Sequence, residues 1–283
     1  MKTIESISRM STFSKIVKKE GKSIGLVPTM GALHEGHLSL ARTAKKHADV
    51  VVMSIFVNPI QFGQSEDLDK YPRDFKRDEE LARLVGVDVI FYPSASQMYP
   101  EGFSTYVDVE GLTDTLCGAS RPGHFRGVTT VVMKLFAIVK PDVAYFGQKD
   151  AQQAIVINKM VNDLDLDVDV KVLPVVREKD GLAMSSRNVY LSTDERKEAA
   201  VLYQALRKAE ELIRQGETET AKVIRAMEEM IKAKHNARID YIAVVDPKNL
   251  KKAKTISGEA LVALAVFIGK TRLIDNIIVS VGP

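Results

Sequence analysis

The sequence predicts an α/β fold, a parallel sheet with helices on both faces, followed by a smaller α+β domain. Three observations carry this. Short apolar runs at 24–27, 50–57, 88–92, 143–146 and 168–173 alternate with stretches of helical period. The run at 50–57 is apolar almost throughout, as expected of a strand covered on both faces. Beyond Pro174 the chain changes to a polar connector, two charged helical stretches and three strand-like runs. The expected boundaries are 1–174 for the larger domain and 175–283 for the smaller.

Residues 4–19 mix apolar and charged positions as a surface helix does. Ile24 to Val27 read as a short buried strand, ended by the turn signals Pro28 and Gly31. From Gly36 onward Leu38, Leu40 and Ala41 begin a helical stripe that continues to about His47. His34 and His37 sit where strand gives way to helix. The first turn of a helix has unpaired backbone N–H groups and a partial positive charge, so it suits an anion. Imidazoles placed there add donors to a phosphate, and Gly36 lets a phosphate approach the backbone.

The run at 50–57 ends in Asn58-Pro59, which forces a turn. Asn58, Gln61 and Phe62 then lie just past the strand's carboxyl end, where open α/β sheets bind ligands. A polar loop at 64–74 leads to a helix capped by Asp74 and running to about Val85. A strand at 88–92 follows, and a further short strand is expected at 105–109. The loop CGASRPGHFRG (117–127) is rich in Gly, Pro and Arg. A helix at 128–139, a strand at 143–146, a helix at 150–163 and a strand at 168–173 complete the series. In the C-terminal part, helices are expected at 194–215 and 218–234, separated at Gly216. Strands are expected at 240–245, 260–268 and 272–281, the last two joined by a turn at 269–271.

Forty basic and 37 acidic residues among 283 give a net charge of +3, which argues against a dedicated nucleic-acid surface. A single cysteine, Cys117, rules out an intramolecular disulfide and fits a reducing compartment. The N-terminus lacks the apolar segment and cleavage site of a signal peptide, and no apolar run approaches the ~18 residues of a membrane span. A cytoplasmic protein without a membrane partner is expected.

Several familiar chemistries are absent. His34-Glu35-Gly36-His37 spaces its histidines three apart rather than the four of a zinc protease, and no third ligand is evident. Neither G-x-G-x-x-G nor G-x-x-x-x-G-K-[ST] occurs. Two further stretches carry polar groups suited to phosphate. Phe146-Gly147-Gln148-Lys149-Asp150 ends a strand; Lys149 can neutralise phosphate, Asp150 can equally cap the next helix, and Gln153 follows one turn on. Met184-Ser185-Ser186-Arg187-Asn188 combines two hydroxyls with a guanidinium, whose fork suits phosphate. Taken alone, each of these also reads as ordinary structure.

Together they resemble the nucleotidyltransferase superfamily, with HEGH in place of a HIGH-type motif and MSSRN in place of a KMSKS-type loop. Within it, PTMGALHEGH, FVNPIQFG, YPRD, RPGHFRGV, FGQKDAQQ and MSSRN resemble the pantoate–β-alanine ligase family, in order over residues 28–188. The resemblance implies a Rossmann-like first domain, and a hinge near 174–181 is expected to let the smaller domain close over the site as a lid. The same resemblance implies ATP-dependent condensation of pantoate with β-alanine through a pantoyl adenylate, releasing AMP and pyrophosphate.

The resemblance also implies residue roles. Met30, Gly31, Ala32, Leu33, His34, Glu35, Gly36 and His37 contact ATP, with His37 as the family's proton donor and His34 holding the phosphates. Gly147, Gln148, Lys149 and Asp150 line the ATP site, Lys149 balancing transition-state charge. Val176 touches the adenine or ribose, and Met184, Ser185, Ser186 and Arg187 close over the triphosphate. Gln61 and Gln153 bind pantoate, Gln61 also lying near β-alanine, with Asn58 as a neighbour. Mg2+ arrives with ATP, its protein ligands unassigned, and the family is homodimeric. The loop departs from the synthetase pattern in lacking lysine, a charge that Arg187 and Lys149 would supply. Proton transfer by His37 and simple charge stabilisation both stay open. So do another HIGH-type nucleotidyltransferase with a different small acceptor, and a nucleotide-binding protein without catalysis.

Overall fold

The structure, a computed structural model, describes residues 1–64 and 66–281. The strands β1 (Lys2–Ile4), β2 (Ile24–Thr29), β3 (Val50–Ile55), β4 (Val89–Phe91), β5 (Val143–Gly147) and β6 (Asp169–Leu173) form a sheet in the order β1-β4-β3-β2-β5-β6. Every recorded pairing in it is parallel. The connecting helices are α1 (Ile7–Lys19), α2 (Glu35–His47), α3 (Phe75–Leu84), the short α4 (Ala95–Met98) and α5 (Cys117–Ser120), α6 (His124–Val139) and α7 (Ala151–Asp163). Leu26 and Val27 on β2 and Val51, Val52 and Met53 on β3 are fully buried, because helices cover both faces. Removing one such side chain from water stabilises the fold by about 1.5–3 kcal/mol.

The chain then forms α8 (Thr193–Ala199), α9 (Val201–Arg214), α10 (Thr220–Lys232) and the antiparallel strands β7 (Ala237–Val245), β8 (Glu259–Ile268) and β9 (Thr271–Ser280). The residues group into two compact units. One comprises Met1–Thr113, Arg121–Gly147 and Val156–Pro174; the other comprises Asp114–Ser120, Gln148–Ile155 and Val175–Pro283. The division passes through α7. In the second unit, Leu202, Leu206 and Ile213 on α9 and Val223, Met227 and Ile231 on α10 pack with Val262, Leu264 and Val266 on β8. The helical period of the two charged helices puts these residues on one face.

The α/β class with a smaller α+β part is as expected, and four local expectations are corrected. The surface helix at 4–19 is preceded by β1, whose three residues are too few to show a period. No strand forms at 105–109. There the backbone of Val107 is satisfied by α6 side chains: its N–H donates to Thr130 Oγ1 (3.0 Å) and its carbonyl accepts from Thr129 Oγ1 (2.6 Å). The helix expected at 128–139 begins at His124, one residue past Gly123, which takes a left-handed φ of 80°. The helix expected at 194–215 is broken at Ala200 into α8 and α9, with no Gly or Pro marking the break.

In the sheet order, β3 and β5 flank β2 on opposite sides. Sheets whose connections diverge in this way bind ligands in the crevice beyond the carboxyl ends of the flanking strands, here β2 and β5. The neighbouring floor is formed by the 3₁₀ turn Pro59–Gln61 that follows β3. Helix α6 meets this turn at Gly127, where a Cβ would lie 2.5 Å from the Ile60 carbonyl oxygen and 2.6 Å from Gln61 Cα. Both are backbone atoms and cannot step aside. Gly127→Ala is therefore expected to destabilise the protein by about 1–3 kcal/mol, the cost of overpacking a tight interior. Urea unfolding measures this, and a midpoint equal to that of the parent protein would contradict it.

Candidate functional site

The loop after β2 turns through two left-handed residues, Gly31 (φ 81°) and Ala32 (φ 48°). Glycine accepts this freely; alanine does so at a cost of about 1–2 kcal/mol. Asp78 on α3 holds the turn in place. Its Oδ2 accepts the Ala32 N–H at 2.8 Å and its Oδ1 the Leu33 N–H at 2.7 Å. Asp78 is 1% exposed. Burial pushes its carboxyl above the usual range, although the two N–H donors favour the charged form. No side chain larger than hydrogen fits easily at Gly31, since a Cβ there would lie 2.9 Å from Asp78 Oδ2.

The chain then enters α2 through a reciprocal cap made by two histidines. His34 is the N-cap residue, and its Nδ1 accepts the Gly36 N–H at 3.1 Å. His37 Nδ1 accepts the His34 N–H at 3.4 Å, and the ring centroids lie 4.1 Å apart. A ring nitrogen that accepts from a backbone N–H carries no proton, so each neutral ring holds its hydrogen on Nε2. Both imidazoles thus cap the helix on one side and carry a donor on the other. Glu35 is ion-paired with Arg42.

Beyond β3, Asn58 and Gln61 are 1% and 7% exposed. Asn58 Nδ2 donates to Gln61 Oε1 (2.9 Å) and to the Gly127 carbonyl (3.1 Å), while Asn58 Oδ1 accepts from the Tyr99 hydroxyl (2.7 Å). Gln61 Nε2 points at Met30 Sδ, 3.2 Å away, which joins this turn to the loop after β2. The backbone of Gln61 is held separately. His124 Nδ1 donates to the Gln61 carbonyl at 2.8 Å, and Arg121 donates to His124 Nε2 at 3.0 Å and forks onto Glu66 at 2.6 and 2.7 Å. A carbonyl only accepts and a guanidinium only donates, so His124 carries its proton on Nδ1, opposite to His34 and His37. Burial acts to raise the Glu66 carboxyl, but the Arg121 fork outweighs it and leaves it below the ordinary 4.5.

In the second unit, Gln148 to Asp150 form a 3₁₀ turn whose backbone is clamped from β9. Asn276 Nδ2 donates to the carbonyls of Gln148 and Lys149, both at 2.9 Å, and its Oδ1 accepts Gln148 Nε2 at 3.0 Å. Lys149 lies 3.6 Å from Asp150, the lysine largely buried and the aspartate half-exposed. The adjacent glutamines have separate surroundings. Gln152 is buried and bonds Thr115 and Cys117, whereas Gln153 is half-buried. Val176 pairs with Met184 through a backbone bond (3.0 Å), and Ser185 caps the turn Ser186–Tyr190 by accepting the Arg187 N–H at 3.2 Å. Arg177 forks onto buried Asp275 at 2.5 and 3.0 Å and donates to Gly181 O, fixing the strip that carries 184–187.

The structure therefore brings Met30–His37, Asn58, Gln61 and Gly147 together at the carboxyl end of one sheet. Gln148–Asp150, Gln153, Val176 and Met184–Arg187 belong to the other unit. Asp78, Glu66, Tyr99, Arg121, His124, Arg177 and Asn276 are not singled out as site residues by the sequence. Arg121 and His124 have a signal in their membership of the string RPGHFRGV.

Comparison with known proteins shows the family of the chain. The sequence model of one family, described as pantoate-beta-alanine ligase, matches residues 2–278. The chain is 59% identical over 279 residues to the pantothenate synthetase of Caldicellulosiruptor bescii, covering 99% of each. It is 58% identical over 281 residues to that of Acetivibrio thermocellus, covering 99% of this chain and 100% of the relative. The crystal structure of pantothenate synthetase from Thermus thermophilus superposes with a TM-score of 0.94 at 46% identity, over 100% of both chains. That of pantoate-beta-alanine ligase from Francisella tularensis, complexed with beta-gamma ATP and beta-alanine, gives 0.81 at 35% identity, over 98% of this chain and 97% of the other.

Two outcomes test the supports described above. Asp78→Asn places an amide N–H against one of the two loop donors. It is expected to cost about 1–3 kcal/mol, the range for leaving a buried donor unmatched, and to speed hydrogen exchange at Ala32 and Leu33. Unchanged exchange there would contradict the role given to Asp78. Glu66→Gln should lower stability at neutral pH, and the difference should shrink as pH falls below 4.5 and the parent carboxylate takes up its proton. A depressed carboxyl contributes stability above its unfolded pKa and loses it as pH falls through the folded one. A stability deficit that did not vary with pH would rule out the charged pair as its source.

Proposed function

Because the chain belongs to the pantoate–β-alanine ligase family, we propose that it joins pantoate to β-alanine at the expense of ATP. Pantoate's carboxylate attacks the α-phosphorus of ATP, and pyrophosphate leaves with the electrons of the broken P–O bond. The β-alanine amine then attacks the acyl carbon of the pantoyl adenylate, AMP leaves, and the ammonium proton passes to solvent or base. A free carboxylate resists amide formation because oxide is a poor leaving group; AMP is a good one.

The observation that carries this reading is the pair of Nδ1-capped imidazoles at the N-terminus of α2. Nε2–H donors at a helix N-terminus are preorganised for a polyphosphate, and preorganised donors stabilise developing charge without reorganising. Met30–His37, Gly147–Asp150, Val176 and Met184–Arg187 are assigned to ATP, with His34, His37 and Lys149 acting on the phosphates. Gln61, Gln153 and Asn58 are assigned to pantoate, whose hydroxyls and carboxylate suit amides. Mg2+ is assigned to the nucleotide: held by phosphate oxygens and water, it would neutralise charge on the leaving pyrophosphate. No trio of His, Cys, Asp or Glu placed to hold an ion occurs among the described residues, so no protein ligand is assigned. Residues 1–174 are taken as the nucleotidyltransferase domain and 175–283 as a lid closing near 174–181, which would shield a hydrolysable adenylate from water. A homodimer in the cytoplasm completes the proposal. Among the described residues no helix is long and apolar enough to cross a membrane.

ATP–pyrophosphate exchange tests the assignment. Exchange should require pantoate, and exchange that ignores pantoate or proceeds equally with an unrelated acid would defeat it. His37→Ala and Lys149→Ala are each expected to slow adenylate formation at least ~100-fold while leaving the fold intact, the scale of losing one preorganised donor. Single-turnover rates near those of the parent would refute those roles.

A further inference from the structure

The Asn58–Gln61 pair has one orientation only, and it is fixed from outside. The Gly127 carbonyl is an obligate acceptor, so the Asn58 amide group facing it is the NH2. The other end of Asn58 is then its oxygen, which accepts the Tyr99 hydroxyl at 2.7 Å. Because Asn58 Nδ2 also donates to Gln61 Oε1 (2.9 Å), the oxygen of Gln61 is occupied and its NH2 is directed at Met30 Sδ, 3.2 Å away. Burial pushes the Tyr99 phenol well above its usual range, so it stays protonated and donates. Its ring is held independently, edge-on to Phe103 with centroids 5.0 Å apart and tilted against Phe56 at 6.1 Å. The Gln61 main chain is held independently too, by His124 at its carbonyl.

We propose that Tyr99 is a positioning residue: through Asn58 its hydroxyl sets Gln61 to meet the acid substrate as an N–H donor only. The substrate atom received there is then an acceptor, a carboxylate or hydroxyl oxygen, and a group offering only a donor at that place is rejected. This rests on the assignment of Gln61 to pantoate made above. Without the hydroxyl, Asn58 Oδ1 loses its donor and the Gly127 carbonyl alone holds Asn58, so the Asn58–Gln61 pair is held less firmly and Gln61 presents its N–H less precisely.

Tyr99→Phe removes the hydroxyl and keeps the ring packing. Steady-state kinetics are expected to give a KM for pantoate about 10-fold higher, with kcat and the KM for ATP changing less than about twofold; one tenfold step corresponds to about 1.4 kcal/mol. Gln61→Ala serves as the benchmark, and adding Tyr99→Phe to it should raise the pantoate KM no further, because the two act on one contact. If Gln61→Ala raises the pantoate KM but Tyr99→Phe leaves it within twofold, the positioning role is overturned while Gln61 keeps its assignment. If Gln61→Ala itself leaves that KM unchanged, the assignment of Gln61 fails, and the inference with it. Additive effects in the double variant, or an equal rise in the KM for ATP, would identify a general structural effect and overturn the proposal as well.

Discussion

The reciprocal cap at the start of α2 is the interaction on which the larger unit's site depends. Helices begin with unmatched N–H groups, and most proteins answer them with Ser, Thr, Asp or Asn. Here His34 and His37 answer them with ring nitrogens. An oxygen cap would satisfy the helix and contribute nothing further. An imidazole cap uses one nitrogen for the fold and carries a proton, hence a donor, on the opposite one. The 34/37 spacing, one short of the zinc-protease spacing, is the spacing that allows each ring to serve the other's end of the first turn.

That cap is useful only if the loop before it is held. Two consecutive left-handed residues, one of them Ala32, would relax without Asp78 on α3. The second floor of the crevice follows the same plan. His124, Arg121 and Glu66 hold the Gln61 backbone, while Tyr99 and Asn58 orient its side chain. In each case a buried polar residue from a neighbouring element fixes a group on a loop, which lets a flexible part of the chain carry precise geometry. The smaller unit repeats this with Asn276 beneath Gln148 and Lys149 and with Asp275 beneath Arg177.

Much of this was legible in the sequence, and the remainder has physical reasons for being silent. Strands buried on both faces show as long apolar runs, so β2, β3 and β5 are evident, and Asp74 announces the start of α3. The three residues of β1 carry no period. Residues 105–109 look like a strand in the sequence but form none, because Thr129 and Thr130 supply hydrogen bonds that a neighbouring strand would otherwise have to provide. The break at Ala200 has no Gly or Pro to mark it. His34, His37 and Gln61 stand out because their residue types are unusual where they fall. Asp78 does not, since a carboxylate within FKRDEELARL reads as part of a solvated helix face, and only the fold reveals it as 1% exposed. Tyr99 lies in a stretch without regular period, and its partner Asn58 is 41 residues away in sequence.

The most direct test of this account is the protonation pattern of the histidine rings, read from long-range 1H–15N correlation spectra of the histidine-labelled protein near neutral pH. His34 and His37 should appear as neutral rings protonated at Nε2, and His124 as the opposite tautomer, protonated at Nδ1. Finding His34 or His37 protonated at Nδ1, or His124 at Nε2, would mean that the caps and the clamp described above do not orient these groups.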